Sequence, residues 1–351
     1  MPLFTQAPES LCILRLSAIG DVCNALAAVQ QIQAYWPQTQ ITWIVGKVEY
    51  QLLSAITQNI HFEIYDKKTG FKGIFALWRK LKHQRFDALL NLQTAFRASL
   101  LSIGIKANYK IGFGQQRSRE CQQYFVNQRV QDPVNPHVLG GFLAFVEYLG
   151  VPIQTPSWHL HLEKNLINSV QPWLAQEKPN LLIAPCSSKA EKDWTLEGYV
   201  AAAQTAHQQG YQIILAGGAS SREQQMAENI KQKCDFPIAN TVGKTTLAQL
   251  VALIKQVDLV ISPDSASAHI ANMCGTAVIG LYAYHNPLRT GPYYHLDNVI
   301  SVYEQNAIQQ FGKPSSQLPW ATKLSGKNLM AQIQPQNVVD AITAFTQHRN
   351  D

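Results

Sequence analysis

Between Leu11 and Val29 a short apolar run breaks at Ser17-Ala18-Ile19-Gly20-Asp21 and resumes with a different period. The first part is apolar on both faces and too short for a helix. That is the pattern of a parallel strand covered on both sides. The second part has apolar residues at three-and-four spacing on an alanine-rich body, the pattern of a helix. Gly20 between them lets the backbone turn tightly and lets a ligand come close. Asp21 is left at the carboxyl end of the strand, at the lip of the helix. In open α/β sheets that is where ligands bind. Its carboxylate is either a helix cap or the base of an active site.

The alternation continues. Strands are expected at 40–46, 61–65, 85–93 and 109–113, and again at 180–185, 211–216, 259–262 and 277–282, with helical segments between most of them. Such alternation makes parallel sheets with crossover helices. A chain of 351 residues exceeds one ordinary domain of about 100–200. We expect an α/β protein of two Rossmann-like, doubly wound domains facing a central cleft. The first covers 1–170 and the second 171–330, with prolines near 151–156 and at 179 bracketing the hinge. The segment 331–351 is expected as a helix that crosses back onto the first domain. Residues 302–327 carry no readable pattern.

Hydrophobic residues make up 46% and charged residues 15%, enough apolar content for buried cores and against disorder. The six cysteines form no CxxC pair, which argues for reduced core thiols in a cytosolic protein. The N-terminus lacks the basic and apolar regions of a signal peptide. No run reaches the roughly 18 apolar residues of a spanning helix, so any membrane contact is expected from the surface. The net charge of +6 suits an anionic partner. It is too diffuse, and too devoid of motifs, for a nucleic-acid binder.

Three constellations carry chemistry. After the strand ending at Ser262, Asp264 and Ser265 open a helix with Ala266 and Ser267, and His269 lies about one turn in. Small residues at a helix N-terminus expose backbone N–H groups to a phosphate. The plainer alternative is N-capping beside a half-buried histidine. After the strand ending near Pro185 come Ser187, Ser188, Lys189 and Lys192, which suit phosphate oxygens or a solvated loop. Gly217-Gly218 ends another strand. The basic residues Arg97, Arg117, Arg119 and Arg129 follow first-domain strand ends and suit an anionic ligand near Asp21, or are solubility charges. GxGxxG and GxxxxGK[ST] are both absent, which disfavours a dinucleotide site and a triphosphatase. No DxD pair calls for a metal.

Together these stretches resemble glycosyltransferase family 9, the heptosyltransferases of lipopolysaccharide inner-core assembly. The resemblance runs from about Leu11 to Pro292. It rests on Ser17 to Val22, on Phe86 to Gln93 followed by Arg97-Ala98-Ser99, and on Ile111-Gly112-Phe113. It rests also on Ser187-Ser188 through Lys192-Asp193-Trp194, Asp264-Ser265 through His269, and Asn286 to Tyr293 with Arg289. Arg119-Glu120 falls where heptosyltransferase I sequences carry a similar pair. Ala266 departs from the family's usual glycine.

The resemblance implies a GT-B fold and an inverting transfer of heptose from ADP-L-glycero-β-D-manno-heptose to a Kdo residue of lipid A. No metal or other cofactor is implied, and the setting would be the cytoplasmic face of the inner membrane. Asp21 and Lys192 would be catalytic. Ser187, Ser188, Lys192, Glu223, Asp264, Ser265, Ala266 and His269 would hold the donor. Gly20, Gln93, Arg97, Arg117, Arg119 and Arg289 would hold the acceptor. The competing classes are a later-core heptosyltransferase, another GT-B nucleotide-sugar enzyme such as an epimerase, and a non-catalytic nucleotide-sugar binder.

Overall fold

The computed structural model describes residues 2–350. The chain divides into two compact units, 1–161 and 162–351. The first carries β1 (Ser10–Leu14), α1 (Ile19–Tyr35), β2 (Gln40–Gly46), α2 (Lys47–Ile56), β3 (His61–Tyr65) and α3 (Gly70–Leu81). It continues with β4 (Phe86–Asn91), α4 (Phe96–Ser102), β5 (Ala107–Gly112), β6 (Gln128–Arg129) and α5 (Val138–Leu149). The second starts with α6 (Lys164–Val170), β7 (Asn180–Ile183), α7 (Leu196–Gln208), β8 (Gln212–Leu215), α8 (Ser221–Gln232), β9 (Ile238–Asn240) and α9 (Leu247–Ile254). It ends with β10 (Leu259–Pro263), α10 (Ala266–Cys274), β11 (Ala277–Tyr282), α11 (Pro287–Thr290), β12 (Val299–Ser301), α12 (Tyr303–Phe311) and α13 (Pro335–Asn350).

Each unit is built on a six-stranded parallel sheet, in the orders β3-β2-β1-β4-β5-β6 and β12-β11-β10-β7-β8-β9. Counted from its own first strand, each sheet has the order 3-2-1-4-5-6, the doubly wound arrangement. Leu11, Cys12, Ile13 and Leu14 of β1 have no exposed surface, because neighbouring strands flank them and helices cover both faces. The order reverses between β1 and β4 in the first unit and between β7 and β10 in the second. Crossovers leave those two switch points in opposite directions, and a crevice opens at the carboxyl ends of the strands.

Three expectations change. The division falls at 161/162 because α6 packs on α9 and so joins the second unit. Helix α13 packs on α7 within its own, second unit. Val338 and Ile342 are fully buried in the second core, and Gln209 Nε2 donates to Thr343 Oγ1 at 2.8 Å. Residues 302–327 hold α12 and an antiparallel bridge between His285 and Lys323. Among the described residues no helix is long and apolar enough to cross a membrane.

Candidate active site

Each switch point gathers polar groups from the two loops that flank it. In the first unit these are the loops after β1 and β4. Gln93 Oε1 accepts from the N–H of Leu16 at 2.6 Å and of Ser17 at 3.3 Å, clamping the two loops together. Gln122, fully buried, donates to the carbonyls of Asn91 and Gln93 from behind. Gln93 therefore positions the site's backbone.

Asp21 is the third residue of α1 and is 31% exposed. Its Oδ2 accepts from Ala18 N–H at 3.2 Å, so the capping reading is correct. The same oxygen is also ion-paired with Arg15. Oδ1 takes no partner among the described residues, so Asp21 holds its helix with one oxygen and presents the other. Arg15 was not singled out from the sequence. Its place as the one charge in an apolar strand run is the signal that could have found it. It donates from Nη1 to Leu92 O at 2.5 Å and lies over the Phe142 ring.

A cavity of about 900 Å³ opens beside these loops. Gln93 and Arg97 line it, together with Glu49, Lys47, Lys67 and Lys68. Gly46 is required on its wall. A Cβ there would stand 2.4 Å from the Leu16 carbonyl. Burial pushes the Glu49 carboxyl above its ordinary value, against the pull of its own backbone N–H, Lys67 and Arg15. Gly20 is the second residue of α1, and its carbonyl accepts from Asn24. Arg119 is exposed on the loop whose Glu120 accepts from Phe96 N–H at the start of α4.

Arg117 corrects an expectation. It is 3% exposed and donates to the carbonyls of His137 and Asn135, at 2.9 and 2.5 Å. It ties the loop before α5 into the core and does not face a ligand.

The second unit's site lies where the loop after β7 meets the end of β10. Lys192 Nζ and His285 Nδ1 each stand 2.6 Å from Asp264 Oδ2. Burial alone would raise the Asp264 carboxyl. The His285 hydrogen bond and the Lys192 charge outweigh it and hold the group well below the usual carboxylate range. Asp264 thus anchors both the Lys192 ammonium and the His285 ring, and capping of α10 falls to Ser265, whose Oγ accepts from Ser267 N–H at 3.2 Å. Ala266 is the first helical residue and has no positive φ, so its methyl group is accommodated. The remaining N–H groups of that turn have no intrahelical acceptor. His269 lies one turn in, half-buried.

The Lys192-Asp193-Trp194 stretch divides its work. Asp193 accepts from Ser187 N–H at 2.8 Å and pairs with Arg222. Trp194 is buried, donates to Ile333 O at 3.0 Å and packs edge-on against Tyr199. Beside these fixed residues the Lys192 side chain, 13% exposed, turns inward to Asp264. His285 and Arg222 were missed. His285 follows a buried strand at its carboxyl end, the same signal that marked Asp264.

Two further residues are less available than expected. Ser187 spends its hydroxyl on its own turn, donating to Lys189 O and accepting from Lys189 N–H. Ser188 beside it is exposed. Glu223 folds onto its own loop, accepting from Gly218 N–H at 2.8 Å and from Ser220 Oγ at 2.5 Å. Arg289, grouped from the sequence with first-domain residues, stands on the second unit with its guanidinium 4.9 Å from the centre of the Trp320 ring. Among the described residues no group of three or more His, Cys, Asp and Glu is placed to hold a metal.

Two Rossmann-like units, each with charged groups at its switch point, are the building blocks of the GT-B fold. The model of glycosyltransferase family 9 (heptosyltransferase) matches residues 74–321, and the chain belongs to that family. It is 60% identical to the lipopolysaccharide core heptosyltransferase OpsX of Haemophilus influenzae over 97% of both chains. Among solved structures it is similar to Escherichia coli ADP-heptose lps heptosyltransferase II, with TM-score 0.75 and 19% identity over 97% of this chain and all of that one. It is also similar to E. coli heptosyltransferase WaaC with ADP, with TM-score 0.73 and 17% identity over 96% of this chain and 99% of that one.

Proposed function

We propose that this enzyme moves L-glycero-D-manno-heptose from ADP-L-glycero-β-D-manno-heptose to a Kdo residue of lipid A during assembly of the lipopolysaccharide inner core. It would act with inversion, without a metal, at the cytoplasmic face of the inner membrane. The observation that carries the reading is the Lys192–Asp264–His285 group beside the N-terminus of α10. The near-full-length identity to a core heptosyltransferase supports it.

In this reading the second unit holds the ADP moiety. Lys192, His285 and the first-turn N–H groups of α10 meet the negative charge that grows on the diphosphate as its bond to the anomeric carbon breaks. Asp264 holds the Lys192 ammonium and the His285 ring in place. The first unit holds the acceptor. Lys47, Lys67, Lys68 and Arg97 around the cavity suit the carboxylates and phosphates of Kdo-lipid A. Asp21 takes the proton of the attacking hydroxyl through Oδ1 while Arg15 and the Ala18 N–H hold Oδ2.

The test is incubation with ADP-heptose and each of four acceptors, with mass spectrometry of the products. The acceptors are lipid A carrying one Kdo, a phosphorylated Kdo or two Kdo, and an already heptosylated core. Addition of one heptose to a Kdo-terminated acceptor is expected. Transfer only to the heptosylated core would reject the Kdo assignment. Thermal stabilisation by UDP and not by ADP would reject the donor.

A further inference from the structure

Helix α3 turns an apolar strip outward. Ile74, Leu77 and Leu81 face the core. Phe71 and Phe75, one turn apart, are 68% and 62% exposed. Trp78 continues the same stripe and packs edge-on against Phe75, with ring centroids 5.3 Å apart. Its Nε1 donates to Leu101 O at 2.8 Å, which fixes it against the end of α4, where Ile103 is 51% exposed. The strip is held rigid from below.

Its border is positive. Lys67, Lys68, Lys72, Arg79 and Lys82 are all exposed on or beside α3. Two of the nearby acids are already engaged. Glu63 is 2% exposed and already paired with Lys80 and His61. Asp66 is folded onto the N–H of Lys68. An isolated exposed phenylalanine is ordinary, but an aromatic stripe framed by lysines and arginines on one helix matches a particular partner. Apolar rings fit the boundary between headgroups and acyl chains, and the cations fit lipid phosphates. A nucleic-acid duplex would use the cations and leave the rings in water.

We propose that α3, with the turn at 67–69, docks this protein onto an anionic lipid bilayer. Phe71, Lys67 and Lys68 also line the 900 Å³ cavity. Docking by this face therefore brings the cavity's rim to the lipid surface, where an acceptor anchored by acyl chains is presented. The docking surface itself does not depend on the proposed reaction.

The test uses the full chain and vesicles without any glycolipid, so its outcome is separate from that of the transfer assay. Sedimentation is measured with phosphatidylcholine vesicles and with vesicles of equal parts phosphatidylcholine and phosphatidylglycerol. Binding to the anionic vesicles only, weakening with salt, is expected. Phe75→Ser should lower the affinity about tenfold or more. Lys72→Gln and Arg79→Gln should each lower it about fivefold. If Phe75→Ser lowers the melting temperature, Phe75→Trp serves instead and should bind at least as tightly as the unaltered protein. Equal binding to both vesicle types, no binding to either, or indifference to the Phe75 and cation changes overturns the proposal.

Discussion

Lys192 Nζ lies 2.6 Å from Asp264 Oδ2, and this contact ties the loop after β7 to the end of β10. The first unit has a counterpart in Gln93, whose Oε1 ties the loop after β4 to the loop after β1. Both links span the place where the strand order reverses. They differ in kind. The neutral amide fixes backbone and leaves a cavity beside it. The ion pair fixes a positive charge. A glycosyl transfer asks for that difference, because the leaving diphosphate gains negative charge while the acceptor must only be seated and deprotonated.

Asp264→Asn should therefore damage both stability and donor binding. Removing the carboxylate leaves Lys192 and His285 close together without their anion. We expect a loss of about 3 kcal/mol in urea unfolding, the low end for breaking a buried pair, since 13% of each of the Lys192 and Asp264 side chains is exposed. ADP affinity by calorimetry should fall at least about tenfold as Lys192 loses its anchor. The pH dependence has a definite sign. The folded carboxyl titrates below its ordinary 3.8, so its stabilisation is present above that value and is lost as pH falls toward the depressed one. The acid limb of the unfolding curve should be shallower in the variant.

Arg117 and Arg97 should separate cleanly. Arg117→Gln removes donors from two loop carbonyls in a buried site and should cost about 2 kcal/mol in unfolding. Arg97→Gln, at an exposed cavity wall, should leave stability unchanged within about 0.5 kcal/mol. It should raise the acceptor KM about tenfold by removing a charge-assisted bond. Equal effects of the two on KM would show that the buried and exposed arginines are not distinct in role.

The two arginines also show how far the sequence was legible. Strands that carry three or more consecutive apolar residues, such as β1 and β10, announce themselves, and so do the residues just beyond their ends. That is why Asp21 and Asp264 stand where they were expected. Strands β6, β9 and β12 have two or three residues at sheet edges, too short for any period to show. Whether a charged residue is buried depends on what packs over it. Arg117 is covered by the loop before α5, which lies 18 to 20 residues away in sequence, and nothing local to Arg117 reveals that. His285 pairs with Asp264 over 21 residues for the same reason. Terminal helix α13 has an apolar stripe that demanded a partner, but the stripe alone could not choose between two units.

Glu49→Gln tests the cavity wall. Burial raises the Glu49 carboxyl above 4.5, so the folded state holds its proton more tightly than the unfolded chain. Stability contributed by this group is then lost as pH rises from 4.5 through the raised value, and above that value the ionised form is a fixed penalty. The glutamine variant should be more stable than the unaltered protein at pH 7, and the two should converge below pH 4.5 in thermal unfolding. A variant that is less stable at pH 7 would mean that the carboxylate's attraction to Lys67 and Arg15 outweighs its burial.

Asp21 is the sharpest test of the chemistry, because it has two duties that can be parted. As a cap it holds Ala18 N–H and Arg15 through Oδ2, and as a base it needs an ionisable Oδ1. Asp21→Asn keeps the shape and can still accept from Ala18, while Asp21→Ala removes both functions. If Asp21 is the base, both variants should lower kcat by about 10²–10⁴-fold, with donor affinity unchanged because the residues proposed to hold ADP lie on the other unit. Only the alanine variant should also lose about 1 kcal/mol of stability with the cap. A nearly active asparagine variant beside an inactive alanine variant would assign Asp21 to the helix alone and send the search for the base elsewhere in the first unit.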